Sequence, residues 1–167
     1  MNDLSYTLAV EIGEQLQKKQ AMVCVAESCT GGLVGHFITN IAGSSNYFLG
    51  GVQAYSYQTK VDIIGVKQQT LDQHGAVSEE TALEMAAGVR RLFSSQAPLD
   101  RLYGLSITGI AGPGGGTPQK PVGLVWVGLS APYGDQAWMH CWKGSREENK
   151  LASAIAALEH LLEILKP

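Results

Sequence analysis

The sequence predicts a three-layer α/β/α sandwich built on a mixed, mostly parallel sheet, as a single domain over residues 1 to 167. Three observations predict it. Short continuous apolar runs alternate with segments of helical periodicity, which is the pattern of strands covered on both faces by helices. The first apolar run ends in a polar, glycine-bearing turn that opens a helix, and the last two strand-like runs are joined by a tight-turn signal that makes them an antiparallel hairpin.

Leu4, Leu8, Ile12 and Leu16 recur every four residues among Glu11, Glu14, Gln15, Lys18 and Lys19, so residues 3 to 19 read as an amphipathic helix. Residues 21 to 26 (AMVCVA) form a buried strand that ends in Glu27, Ser28, Cys29 and Thr30. From Gly31 onward Leu33, Val34, Phe37, Ile38 and Ile41 keep helical spacing. Residues 47 to 57 (YFLGGVQAYSY) suit a strand with a bulge at Gly50 and Gly51, and residues 60 to 64 a short helical or turn segment. Ser78 before Glu79 and Glu80 caps a helix carrying Leu83, Ala86, Val89 and Phe93. Strands are expected at 102 to 107, 122 to 129 and 136 to 142, with a glycine- and proline-rich loop over 108 to 121 and a turn at Pro132, Tyr133, Gly134 and Asp135. Ser145 and Glu148 have capping-box spacing ahead of a last helix carrying Leu151, Ile155, Leu158, Leu162 and Leu165.

Composition narrows the function. The chain has 12 Lys+Arg against 15 Asp+Glu, a formal charge of -3, and no basic run longer than two, which argues against nucleic-acid binding. No apolar stretch approaches the roughly 20 residues needed to cross a bilayer, and the N-terminus lacks a basic region followed by an apolar core, so a cytoplasmic protein without a membrane partner is expected. Cys24, Cys29 and Cys141 have no CxxC spacing, and His36, His74, His140 and His160 no ligand spacing. No metal is therefore expected, and Cys24 and Cys141 read as buried strand residues. Trp138, Trp142 and Tyr133, taken as exposed on an edge hairpin, would suit a contact in a homo-oligomer, a dimer or higher.

Three segments could carry chemistry. Glu27 to Gly32 (ESCTGG) lies between a buried strand and a helix, where ligands collect in α/β sheets and where helix N–H groups can hold an oxyanion; Ser28 or Thr30 could equally be a plain helix cap. The segment around Tyr55 and Lys60 sets a Tyr and a Lys five residues apart past a strand, and a buried Lys that has lost its proton can activate a serine, whereas a solvated Lys60 would be inert. The stretch from Thr108 to Gly123, with Gly109, Gly112 and Gly114, is either a ligand-wrapping loop or a surface connection, and matches neither a dinucleotide fingerprint nor a P-loop.

AESCTGG at 26 to 32, YFLGGVQAYS at 47 to 56, HGAVSEETA at 74 to 82 and ITGIAGPGGGTPQKPVG at 107 to 123 together closely resemble the CinA C-terminal-domain family of nicotinamide-nucleotide amidohydrolases, here in a stand-alone form. The resemblance implies hydrolysis of the carboxamide of nicotinamide mononucleotide (NMN), with no metal or organic cofactor. It implies Ser28 as nucleophile, with Tyr55 and Lys60 handling protons. The N–H groups around Thr30, Gly31 and Gly32 are then the expected oxyanion donors, and Thr108, Gly109, Gly112, Gly114 and Arg146 the expected substrate and phosphate contacts. Departures from the commoner family pattern stand at Tyr57, Gln58 and Ser145, and leave open a nucleotide-binding module without turnover. A thiol hydrolase using Cys29 is a further alternative, which the resemblance disfavours.

Overall fold

The computed structural model describes residues 3 to 166. Five strands form one sheet: β1 (Met22–Glu27), β2 (Phe48–Gln53), β3 (Leu102–Gly109), β4 (Leu124–Ala131) and β5 (Gly134–Cys141), in the order β2-β1-β3-β4-β5. β1 pairs parallel with β2 and β3, whereas β4 pairs antiparallel with β3 and β5. Every strand except β4 thus runs the same way, the mixed and mostly parallel sheet expected.

Side chains alternate across this sheet and split the core in two. Val23 and Val25 of β1, with Tyr103, Leu105 and Ile107 of β3, pack against helices α1 (Asp3–Lys18), α2 (Leu33–Thr39) and α6 (Arg146–Leu165). Cys24, Ala26 and Leu102 face the opposite layer, made by α3 (Tyr57–Asp62), α4 (Gln68–His74) and α5 (Glu79–Leu92), through residues such as Leu71, Met85 and Val89 and through Ile64 of the segment after α3. Helix α5 lies close on the sheet because β3 and β4 present small residues to it. A β-carbon at Gly104 would stand 2.3 Å from the Ala86 carbonyl oxygen, one at Gly128 2.5 Å from that of Ala82, and Ser106 donates to the Ala82 carbonyl at 2.6 Å.

Ser78 caps α5, and Ser145 and Glu148 close a capping box on α6, as their spacing indicated. The β2 bulge is present: Val23 opposes Phe48 while Cys24 opposes Gly50, leaving Leu49 extra, and Gly51 passes so near β1 that a β-carbon would stand 2.4 Å from Val25 Cγ2.

Several details depart from expectation. Helix α4 was not legible as a separate element. Leu4 is 46% exposed, and the buried stripe of α1 instead runs through Ser5, Leu8, Ala9, Ile12 and Leu16. A four-residue step overshoots one helical turn by about 40°, so four leucine-type residues at that spacing drift off one face. Cys141 is exposed on the edge strand. Tyr133 is exposed, but Trp138 and Trp142 are half-buried against α6. Trp138 stacks on His160 at 4.2 Å between centroids, Trp142 stacks on His140 at 4.8 Å, and the two imidazoles meet Nε2 to Nε2 at 3.0 Å. These tryptophans fasten the hairpin to its own helix layer and are not the free surface expected of them. Among the described residues no helix is long and apolar enough to cross a membrane.

Candidate active site

Because β1, β2 and β3 run parallel, their carboxyl ends reach one edge of the sheet, and the three segments singled out in the sequence meet there. Glu27, the last residue of β1, is buried, and its carboxylate organises the turn that follows. One oxygen accepts from the Thr30 hydroxyl at 2.7 Å, Gly32 N–H at 3.0 Å and Val34 N–H at 3.1 Å; the other accepts from Gly35 N–H at 2.9 Å. These are the orphan donors at the start of α2, so Glu27 caps the helix from seven to eight residues upstream of the last two. Neither Ser28 nor Thr30 is the cap residue; that position is Gly32, in the left-handed region at φ 100°. Ser28 is held by its own N–H, which donates to the Ile107 carbonyl of β3 at 2.9 Å, and its carbonyl accepts from Gly31 N–H at 3.1 Å.

That bonding corrects the expected oxyanion donors. The Gly31 N–H is committed to Ser28 and the Gly32 N–H to Glu27, so the remaining donors of the turn are the N–H groups of Cys29 and Thr30, which meet no other backbone or carboxylate acceptor among the described residues.

Lys60 enters from the other helix layer. Ser56 caps α3 by accepting from Thr59 N–H, and the helix then turns Lys60 inward, 1% exposed. Its Nζ lies 3.1 Å from Ser28 Oγ, 2.6 Å from the Ala54 carbonyl oxygen and 3.4 Å from that of Tyr55. No carboxylate pairs with it among the described residues. Burial without a counter-charge penalises the ammonium and brings the Lys60 pKa down from 10.5 to about 8. A neutral amine fits these three neighbours well. Two N–H bonds can serve the carbonyls while the lone pair faces the serine hydroxyl.

Tyr55 is placed differently from its expected role. It is 62% exposed, its ring lines the cleft, and its hydroxyl accepts from Arg146 Nη2 at 3.1 Å. Among the described residues that hydroxyl makes no bond to Ser28 or Lys60, so the geometry does not support a proton relay through it. Arg146, the first residue of α6, also donates from Nη1 to the Gly112 carbonyl at 2.7 Å and thereby spans the cleft from the Tyr55 segment to the glycine-rich loop.

The cleft has a volume of about 190 Å³, and Ser28, Lys60, Tyr57, Val77, Thr108 and Arg146 are among the residues that line it. Thr108 is buried and gives its hydroxyl to the Ala76 carbonyl at 2.6 Å, fixing the wall of the cleft. Gly109 also lines it and leaves no room for a side chain, since a β-carbon would stand 2.5 Å from Val125 Cγ2. Gly112 serves through its carbonyl, but Gly114 is exposed in open space and contributes nothing to the lining. Lys120 ties the glycine-rich loop to the opposite wall by donating to the carbonyls of His74 and Val77.

Cys29 borders the same cleft but is buried, and burial pushes its thiol up to about 12, which leaves it protonated near neutrality. Of the three departures, Tyr57 faces the cleft, Gln58 bonds outward to the Asp62 carboxylate, and Ser145 caps α6 in place of an acid. Among the described residues none of the three hydrogen-bonds to the Ser28 or Lys60 side chain.

Fold and site together define a three-layer α/β protein with a serine–lysine pair at the carboxyl ends of its parallel strands. The chain belongs to the CinA C-terminal domain family, whose profile matches residues 5 to 165. It is 47% identical over 161 residues to a putative competence-damage inducible protein of Halothermothrix orenii, and likewise to a CinA-like protein of Desulfosudis oleivorans. Both matches cover 96% of this chain, which spans 38% of the length of each relative. Among solved structures, the competence/damage inducible protein CihA of Agrobacterium tumefaciens is 37% identical with a TM-score of 0.88, over 99% of this chain and 98% of that one. The competence or damage-inducible protein of Enterobacter asburiae, 27% identical, gives a TM-score of 0.90 over 99% of this chain and 100% of that one.

Proposed function

We propose that the chain is an amidohydrolase that converts the carboxamide of NMN to the carboxylate of nicotinic acid mononucleotide, releasing ammonia. The observation that carries this reading is the buried Lys60 amine, with no carboxylate partner among the described residues, 3.1 Å from Ser28 Oγ. Such a pair makes an alkoxide without a histidine or a metal. Neutral Lys60 takes the Ser28 proton directly, and Oγ attacks the carboxamide carbon to form a tetrahedral oxyanion beside the Cys29 and Thr30 N–H groups. Lys60 returns its proton to the departing nitrogen, so ammonia leaves and an ester on Ser28 remains. Water, deprotonated by the same amine, then cleaves the ester and regenerates the hydroxyl. Tyr57, Val77 and Thr108 border the space for the ring, and Arg146 stands at the rim where the rest of the nucleotide would lie.

Incubating the purified chain with NMN and with free nicotinamide, and measuring ammonia, tests the reading. Ammonia is expected from NMN, and far less from nicotinamide, since remote binding energy positions the amide. Binding of NMN with no ammonia would instead mark a nucleotide-binding module.

A further inference from the structure

Tyr57 stands where the chain departs from the commoner family pattern, and it is the first residue of α3. Lys60 follows three residues later, about one helical turn, and both side chains line the same cleft. Unlike the buried lysine, Tyr57 is 58% exposed. Neither capping nor core packing accounts for a bulky aromatic at this place: Ser56 caps α3, and Tyr57 belongs to neither half of the core. Among the described residues its hydroxyl makes no hydrogen bond and its ring stacks on no other ring.

The charge around it is one-sided. No carboxylate lines the cleft, whereas Lys60 and Arg146 both do. The ring of NMN is a pyridinium, because its nitrogen is bonded to the ribose, so it brings a positive charge with no N–H to donate. Such a cation is held by a carboxylate or by the face of an aromatic ring, and only Tyr55 and Tyr57 among the lining residues offer a phenol face. Tyr55 already has the Arg146 guanidinium at its hydroxyl, which repels a second cation and leaves Tyr57 as the better face. We propose that Tyr57 is a specificity-determining residue, whose ring covers the pyridinium and favours a cationic aromatic amide over a neutral one of the same shape. This rests on the amidohydrolase reading for its substrate, but the selectivity is measured by binding, without turnover. The ring keeps its charge from the bound amide to the tetrahedral intermediate, so the contact acts on substrate binding and leaves the chemical step to Ser28 and Lys60.

The test is an NMR titration of the full chain carrying Ser28→Ala, so that no amide is consumed, with 1-methylnicotinamide and with 3-methylbenzamide. The second compound has a carbon where the first has its charged nitrogen, and the two otherwise share one shape. The ratio of their dissociation constants is compared among Tyr57, Tyr57→Phe and Tyr57→Leu. Leucine keeps an apolar side chain and removes the π face; phenylalanine keeps the face and removes the hydroxyl. Tyr57→Leu should shift the ratio against the cation by roughly 3- to 30-fold, and Tyr57→Phe should leave it within about a factor of three. With Ser28 in place, Tyr57→Leu should raise KM for NMN by a similar factor with a much smaller change in kcat. An unchanged ratio in Tyr57→Leu, a loss shared equally by both compounds, or no binding of the cation by the Tyr57 protein overturns the proposal. If the ratio depends on Tyr57 but no amide yields ammonia, the selectivity stands and the hydrolase reading falls; if NMN yields ammonia and the ratio is the same in all three proteins, the reverse holds.

Discussion

Ser28 Oγ and Lys60 Nζ lie 3.1 Å apart across 32 residues of sequence, one carried on the turn after β1 and the other on a short helix from the opposite layer. The serine turn is fixed from beneath by Glu27, and the lysine is fixed by the Ala54 carbonyl at 2.6 Å. Neither side chain can move far without breaking a buried hydrogen bond, which is the pre-organisation a nucleophile and its base require.

Turnover should rise with pH through a limb centred near 8, because Lys60 must be neutral to accept the Ser28 proton and its pKa is lowered to about 8 by burial. Lys60→Arg should lower kcat by roughly 10²- to 10⁴-fold, since a guanidinium does not release its proton. A pH–rate profile of both proteins checks this, and a rising limb that persists unchanged in Lys60→Arg would show that another group titrates.

The same burial has a consequence for stability. Folding lowers the Lys60 pKa from 10.5 to about 8, so between those values the unfolded chain binds more protons and stability rises as pH climbs through that window. Below about 8 the whole cost of burying the ammonium is present, on the order of 3 kcal/mol. Lys60→Met should therefore gain stability relative to the wild type at pH 7, and the gain should shrink toward pH 10. Urea denaturation of the two proteins at both pH values measures the difference.

Ser28→Ala should abolish ammonia release while leaving nucleotide binding intact, whereas Cys29→Ala should retain most activity because its thiol stays protonated. Ser28→Cys should form an acyl-enzyme that accumulates, visible by mass spectrometry as an adduct on residue 28. Retained activity in Ser28→Ala with loss in Cys29→Ala would reverse the assignment.

Tyr55→Phe should lower kcat by less than about tenfold, far less than Lys60→Arg, because the Tyr55 hydroxyl is engaged by Arg146 and not by the serine. Arg146→Ala should act mainly on KM, since it removes the strut between Tyr55 and the Gly112 carbonyl. Steady-state kinetics on both variants separates the two effects; equal losses for Tyr55→Phe and Lys60→Arg would restore the tyrosine to the proton path.

Glu27→Ala should be the most destabilising of these changes, at about 3 kcal/mol or more, because three N–H groups of the α2 start and the Thr30 hydroxyl would lose their acceptor. Thermal unfolding should show a lower midpoint together with reduced turnover, as the turn carrying Ser28 relaxes. An unchanged midpoint would mean that water replaces the carboxylate without cost.

The sequence by itself determined the strands, most of the helices and the edge of the sheet where the site would form. Apolar periodicity, caps and turn residues are local signals, and Ser78, Ser145 with Glu148, and the β2 bulge at Leu49, next to Gly50 and Gly51, each act within a few residues of chain. The motif segments named Ser28 and Lys60 without showing whether the lysine was solvated or buried. That was decided only where α3 sets Lys60 against Ser28 and the Ala54 carbonyl, past the ends of β1 and β2, a place that strips water from the ammonium and offers it no carboxylate among the described residues. Glu27 reads as the polar end of a strand until α2 is seen to aim its N–H groups at the carboxylate. Trp138 and Trp142 read as surface until His140 and His160 stack on them. In each case the property depends on which distant group fills the space beside a side chain, and burial and electrostatic compensation are fixed by that neighbour and not by the residue's own place in the chain.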